Sequence, residues 1–299
     1  MQAAHHHRPL QRGQGFLEVT VVFRESTVTA SGAHEPLQLL TPRSRGPSVW
    51  AYTSSLGGGF VAGDQTELEL RLGAGARCFL TSQSSTKIYR NPGLLPCRHT
   101  TRAWLAKGAL LVFAPALVQP FADSFYSQKQ EFCLAPGAGL ALVDGFTSGR
   151  PARGERWAFG SFETRNRVVR GTAEASPGSN GATGPEGAES QEDLFLDALR
   201  LGSTDGSLAG DFRGGRFNYF ATLLLTGAPV QEAAQAALAE VGQRPLTRRA
   251  ELLVSASPVT DGVVLRLAGQ ELAPVETELR RHLARLNPQL GDDPWSRRW

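Results

Sequence analysis

The sequence predicts a mainly β fold, wound like a β-helix or stacked like a sandwich, in a single domain with two α-helices in its C-terminal half. Three observations carry this. Apolar side chains alternate with period two through the first half. Short strand-like segments recur between Gly, Pro and Ser punctuation. A period of 3.6 appears only near the C-terminus.

In chain order, residues 1–15 (MQAAHHHRPLQRGQG) are expected to be a flexible N-terminus, and 16–299 the domain. FLEVTVVF (16–23) and TELELRL (66–72) are half-buried strands, with Leu68, Leu70 and Leu72 on one face and Glu67, Glu69 and Arg71 on the other. Further strands are expected at 48–53, 76–82, 98–105, 109–113, 139–143 and 157–163. GTAEASPGSNGATGPEGAES (171–190) has no large apolar side chain to offset its ordering entropy and reads as a disordered surface insertion. DLFLDALRL (193–201) resumes the strands. In APVQEAAQAALAEVGQ, Val230, Ala234, Ala237, Leu238 and Val241 form a helical stripe, with Pro229 in the first turn and Gly242 as the cap. In LAPVETELRRHLARLNP the stripe is Val275, Leu279, Leu283 and Leu286, and Asn287 with Pro288 is expected to stop it. Between the helices, 250–257 and 261–269 form a hairpin.

With 299 residues, 41% of them hydrophobic, the chain has enough apolar surface for a sizeable core. Its longest apolar run, ALLVFAPALV at 109–118, is about half of what a membrane helix needs. No apolar stretch follows the N-terminal charges as in a secretory signal, so a cytoplasmic location is expected. Cys78, Cys97 and Cys133 form no C-x-x-C pair and read as reduced, partly buried thiols. The net charge of +3 comes from scattered arginines, not from the stripe or tail of a nucleic-acid binder.

SLGGGFVAGD (55–64) suggests a phosphate cradle, but its flanks are strands on both sides. A dinucleotide fold needs a helix after the glycines, and a Walker loop needs Lys-Ser/Thr where Asp64 and Gln65 stand. Gly57, Gly58, Gly59 and Gly63 are then structural, serving positive φ or close backbone approach. A hydrolase built on Asp64, Glu155 and His99 lacks a G-x-S-x-G elbow and a recognisable carboxylate spacing. A β-rich ligand-binding module has only the fold class and some aromatics behind it, and fold alone does not specify function.

Four segments in order, SLGGGFVAGD, TSQSSTKIYR (81–90), FADSFYSQKQ (121–130) and VDGFTSGRPARGERWAF (143–159), resemble the urease accessory protein D family (UreD, also UreH) over about 16–170, with a weaker match to the end. The resemblance implies a wound β fold with two helices and a non-enzymatic maturation factor. Such a factor acts with UreF and the GTPase UreG on apo-urease to help insert nickel, with nickel in transit and no tightly bound cofactor.

On the matching segments, the resemblance makes Asp64, Ser84, Ser85, Thr86, Asp144 and Glu155 candidates for nickel transit or a polar channel. Ligands in transit must be weak, because several His or Cys together would hold the ion. Each candidate has a plain structural alternative. Asp64 also suits a turn cap, Ser84 to Thr86 a polar strand edge, and Glu155, among Arg150, Arg153 and Arg156, an ion-pair centre. Lys87 and Arg90 are candidate partner contacts. His5, His6 and His7 read as a weak terminal metal ligand or a chance run, and Phe121, Phe125 and Tyr126 as core or interface. Family members often carry Pro-x-Pro with an acid between. Here the positions are Pro115, Ala116 and Leu117, so no acid is available at Ala116.

Overall fold

The computed structural model describes residues 9–43, 46–171, 192–211, 213–245, 247 and 249–297. The histidine triplet and nearly all of the expected insertion lie outside them.

A hairpin of β1 (Gln14–Val22) and β2 (Glu25–Ala33) and a short β3 (Leu37–Leu40) lead into four coils. The first is β4 (Val49–Ser55), β5 (Gly59–Phe60) and β6 (Gln65–Leu72); the second is β7 (Arg77–Ser82), β8 (Lys87–Ile88) and β9 (Cys97–Leu105). The third is β10 (Leu110–Phe113), β11 (Gln119–Pro120) and β12 (Phe125–Leu134). The fourth is β13 (Gly139–Thr147), a ribbon of β14 (Gly149–Arg150) and β15 (Glu155–Arg156), and β16 (Ser161–Arg170). Then come β17 (Glu192–Gly202), β18 (Tyr219–Gly227), α1 (Gln231–Gly242), β19 (Leu252–Val259), β20 (Gly262–Gly269), α2 (Leu272–Leu283) and a single turn, α3 (Asn287–Leu290).

Equivalent strands of successive coils stack in parallel. β6, β9, β12 and β16 build one wall, β4, β7, β10 and β13 the opposite wall, and β5, β8 and β11 the narrow corner between them. The expected wound β architecture is therefore a β-solenoid. Antiparallel strands close both ends, β2 and β3 at one, and β17, β18, β20 and β19 at the other.

The two walls differ in sequence because they differ in burial. The first wall faces solvent on its outside, so its strands alternate, as in β6, where buried and half-buried side chains follow one another. The second wall is covered on its outside by α1 and α2, so its strands are apolar on both faces, and the ALLVFAPALV run is β10 with its flanks. Val230, Ala234, Ala237 and Val241 of the first helical segment and Val275, Leu279 and Leu283 of the second pack there on Phe79, Leu223, Leu225 and Leu265. Ion pairs Arg244–Glu278 (2.8 Å) and Arg285–Glu240 (2.7 Å) tie the two helical segments together.

Several boundaries differ from expectation: β1 begins at Gln14, inside the expected flexible terminus, and Gly242 is the last residue of α1, whose cap is the right-handed Gln243. The strand expected at 157–163 begins only at Ser161, because Trp157 takes a positive φ of 59° and turns the chain. Pro288 does not stop the second helical segment but sits in the first turn of α3, where its missing N–H costs nothing. Gly291, with φ 85°, ends it. All three cysteines are buried, and none is in a disulfide. Among the described residues no helix is long and apolar enough to cross a membrane.

Candidate functional site

Strand register builds a polar layer inside the solenoid. Along the first wall, Thr66, His99, Gln128 and Thr164 lie side by side in one inward row, and Thr101, Gln130 and Asn166 in the next. Apolar rows bound them: Tyr126 and Phe162, with Cys97, on the corner side, and Leu70, Ala103, Phe132 and Val168 on the other. The opposite wall contributes Thr53 beside Ser82, and Asp144 beside Thr222.

Three cavities lie in or beside this layer. One of about 570 Å³ lies at the antiparallel end between Phe146, Trp157, Leu199, Phe220 and the Asp197–Arg266 ion pair. A narrow one of about 60 Å³ is lined by His99, Gln128, Gln130, Ser84, Ser85 and Thr86. A third, of about 290 Å³, opens beside Tyr219, Glu276 and Trp295. They abut: Asp144 and Gly145 belong to the first and second, and Ser82, Ser84, Ser85 and Ala116 to the second and third.

Asp144, on β13, is half-buried only because it faces these cavities; protein surrounds it otherwise. Its Oδ1 accepts from Gln128 Nε2 (2.8 Å), and its Oδ2 from Thr164 Oγ1 (2.9 Å) and Asn166 Nδ2 (2.6 Å). Burial pushes its carboxyl above the usual range, these three bonds oppose the shift, and the Asp197 charge adds to it. Gln130 Oε1 and Asn166 Oδ1 are buried without a hydrogen-bond partner. Burial brings His99 down to about 4, so its ring is neutral at pH 7.

The structure thus brings Ser84, Ser85, Thr86 and Asp144 into the lining of the narrow cavity and leaves the other candidates outside it. Asp64 closes the turn after β5: its Oδ2 accepts from Val61 N at 2.9 Å, and Arg12 stands 3.9 Å from its Oδ1. Glu155 holds Arg150 through Nε (2.7 Å) and Nη2 and accepts from Ala122 N, and the Arg150 hydrogen bond keeps its carboxyl below the usual range. Asp64, Glu155 and His99, the residues of the hydrolase alternative, are not gathered at one cavity.

Gly57, Gly58 and Gly63 have φ between 72° and 81°, while Gly59 is extended and lies against the second coil. Lys87 is half-buried in the corner sheet, and Arg90 pairs with Asp123 at 2.9 Å on the surface. Tyr126 and Phe121 are core, and Phe125 is half-buried.

The four segments that carry the family resemblance fall in successive coils at or beside the corner: 55–64 holds β5, 81–90 holds β8, 121–130 runs from the end of β11 into β12, and 143–159 runs from β13 through β14 and β15. Tyr89 N donates to Phe60 O, Gln119 N to Thr86 O, and Gln119 Nε2 to Gly149 O. Reading the sequence missed Thr66, His99, Thr101, Gln128, Gln130, Thr164 and Asn166 as a set. Their signal was present: polar side chains take inward positions at the front of β6, β9, β12 and β16 before the apolar alternation continues.

A model of the UreD urease accessory protein family matches residues 11–299. Among curated relatives, the urease accessory protein UreD of Sorangium cellulosum is 41% identical over 288 residues, covering 96% of this chain and 84% of its own length. That of Anaeromyxobacter sp. is 36% identical, covering 96% and 90%. Urease accessory protein D of Arabidopsis thaliana is 30% identical, covering 94% and 99%. The chain belongs to the UreD family of urease accessory proteins.

Proposed function

We propose that this urease accessory protein is a cytoplasmic scaffold and nickel conduit. In this reading it joins UreF and the GTPase UreG on apo-urease, and nickel crosses it as cargo, not as a resident cofactor. The observation that carries the reading is the position of Asp144, a carboxylate in the wall shared by two cavities. Ser84, Ser85 and Thr86 continue the polar lining, and Gln130 and Asn166 add amide oxygens without protein partners. Such oxygen donors bind nickel more weakly than clustered imidazoles or thiolates, so an ion can enter, exchange ligands and leave. Among the described residues, no group of three or more His, Cys, Asp or Glu is placed to trap a metal. GTP hydrolysis is assigned to UreG, since this chain has no Walker lysine. Lys87 and Arg90, on the corner sheet and just after it, are the cationic groups offered to an acidic partner surface.

Co-expression with UreF and the urease subunits tests the scaffold: failure to co-purify with UreF overturns it. Reconstituted activation with Asp144→Asn tests the conduit. Assembly is expected to persist while nickel loading of urease falls, and loading at the wild-type rate would remove Asp144 from the route.

A further inference from the structure

His99 is the one imidazole among the residues lining the three cavities. An imidazole suits nickel well, so a neutral ring on a nickel route is a hazard: it offers a stronger ligand than the oxygens around it. Both ring nitrogens are occupied. Thr66 Oγ1 lies 2.7 Å from Nδ1 and Thr101 Oγ1 lies 3.0 Å from Nε2. A neutral imidazole has one N–H and one lone pair, and a hydroxyl serves either. In either tautomer one threonine accepts from the N–H and the other donates into the lone pair.

The placement follows from register. Thr66 on β6 is paired with His99, and Thr101 lies two residues along β9 on the same inward face. Both threonines are buried, at 4% and 0% exposure.

We propose that Thr66 and Thr101 set the selectivity of the passage by masking His99, so that the ion meets only exchangeable oxygen donors there. This rests on the conduit reading above. Protonation gives no protection at neutral pH, because burial lowers the His99 pKa to about 4. The hydroxyls alone cover the lone pair.

The test compares nickel(II) binding by the full-length chain and by Thr66→Val, Thr101→Val and the double variant. Valine keeps the shape of threonine and removes its hydroxyl. The valine variants are expected to bind nickel roughly tenfold more tightly, the scale of one forfeited hydrogen bond. Imidazole scattering should appear in X-ray absorption, and adding His99→Gln should abolish the gain. Thr101→Ser, which keeps the hydroxyl, should behave as wild type. Valine variants that fold but gain no His99-dependent nickel overturn the proposal.

Should they not fold, the wild-type chain decides through its His99 ring-nitrogen NMR signals. Masking predicts that they persist at stoichiometric nickel, and their loss through direct coordination overturns it. Urease activation separates this proposal from the reading beneath it. Variants that retain nickel through His99 but load urease at the wild-type rate leave the mask standing and remove the passage from the nickel route.

Discussion

Glu155 and Asp144 are both acids on the fourth coil, and their neighbours drive them in opposite directions. Arg150 grips Glu155, and its guanidinium also lies 3.8 Å from the centre of the Phe121 ring. With its folded-state pKa below the ordinary 4.5, Glu155 contributes stability above that value and loses it as pH falls through the folded pKa. Glu155→Gln is therefore expected to cost about 1 kcal/mol at neutral pH, the range for a partly exposed two-point ion pair. The gap to wild type should close on acidification, as urea denaturation at pH 7 and at more acidic values would show. Asp144 has the reverse sign: burial raises its pKa, so its ionisation opposes folding as pH rises. Both acids were nameable from their place in family-like segments. The ion pair of Glu155 was legible from the arginines beside it; the role of Asp144 was not, because a motif specifies residue type and spacing, whereas Gln128, Thr164 and Asn166 reach it only through the coil register.

Among the strands, β6 and β9 of the first wall were legible, β12 was not expected because Gln128 and Gln130 take inward positions where apolar residues would show the alternation, and those of the corner were not legible. β6 covers eight residues, long enough for alternation to register, whereas β5, β8 and β11 cover two each and leave no period to detect. The glycines beside them show what the corner requires. A Cβ on Gly59 would meet Lys87 O at 2.5 Å and the Tyr89 ring at 2.8 Å, so coils one and two would have to part. A Cβ on Gly57 meets nothing within 4 Å, and its constraint is the φ of 81°. Gly59→Ala is expected to destabilise by about 1–3 kcal/mol through overpacking. Gly57→Ala should cost about 1–2 kcal/mol through left-handed strain alone. Chemical denaturation measures both: in a chain with the Tyr89 ring truncated, which also removes its hydrogen bond to Gly57 O (3.1 Å), Gly59→Ala should cost less than in wild type.

For the molecule as a whole, the fold class was readable because burial on one or both faces of a wall writes itself into hydropathy. The polar layer was not readable, since it exists only where inward polar rows from different coils meet. Ala116 tests that whole-molecule property without altering a charge. It stands in the wall common to the second and third cavities, and its N–H donates to Ser82 Oγ at 2.9 Å, a bond that any non-proline residue can keep. The second cavity offers only about 60 Å³, so a phenyl group projecting from position 116 would fill the join. Because the added volume enters empty space and not the packed core, Ala116→Phe is expected to cost less than about 1–3 kcal/mol, the usual range for overpacking. The variant should still assemble with its partners while the initial rate of urease activation and the nickel content of the product both fall. Ala116→Ser, which adds one hydroxyl to a polar wall, should load urease at the wild-type rate. If Ala116→Phe keeps its melting temperature and its partners and still loads urease normally, nickel does not pass between the second and third cavities.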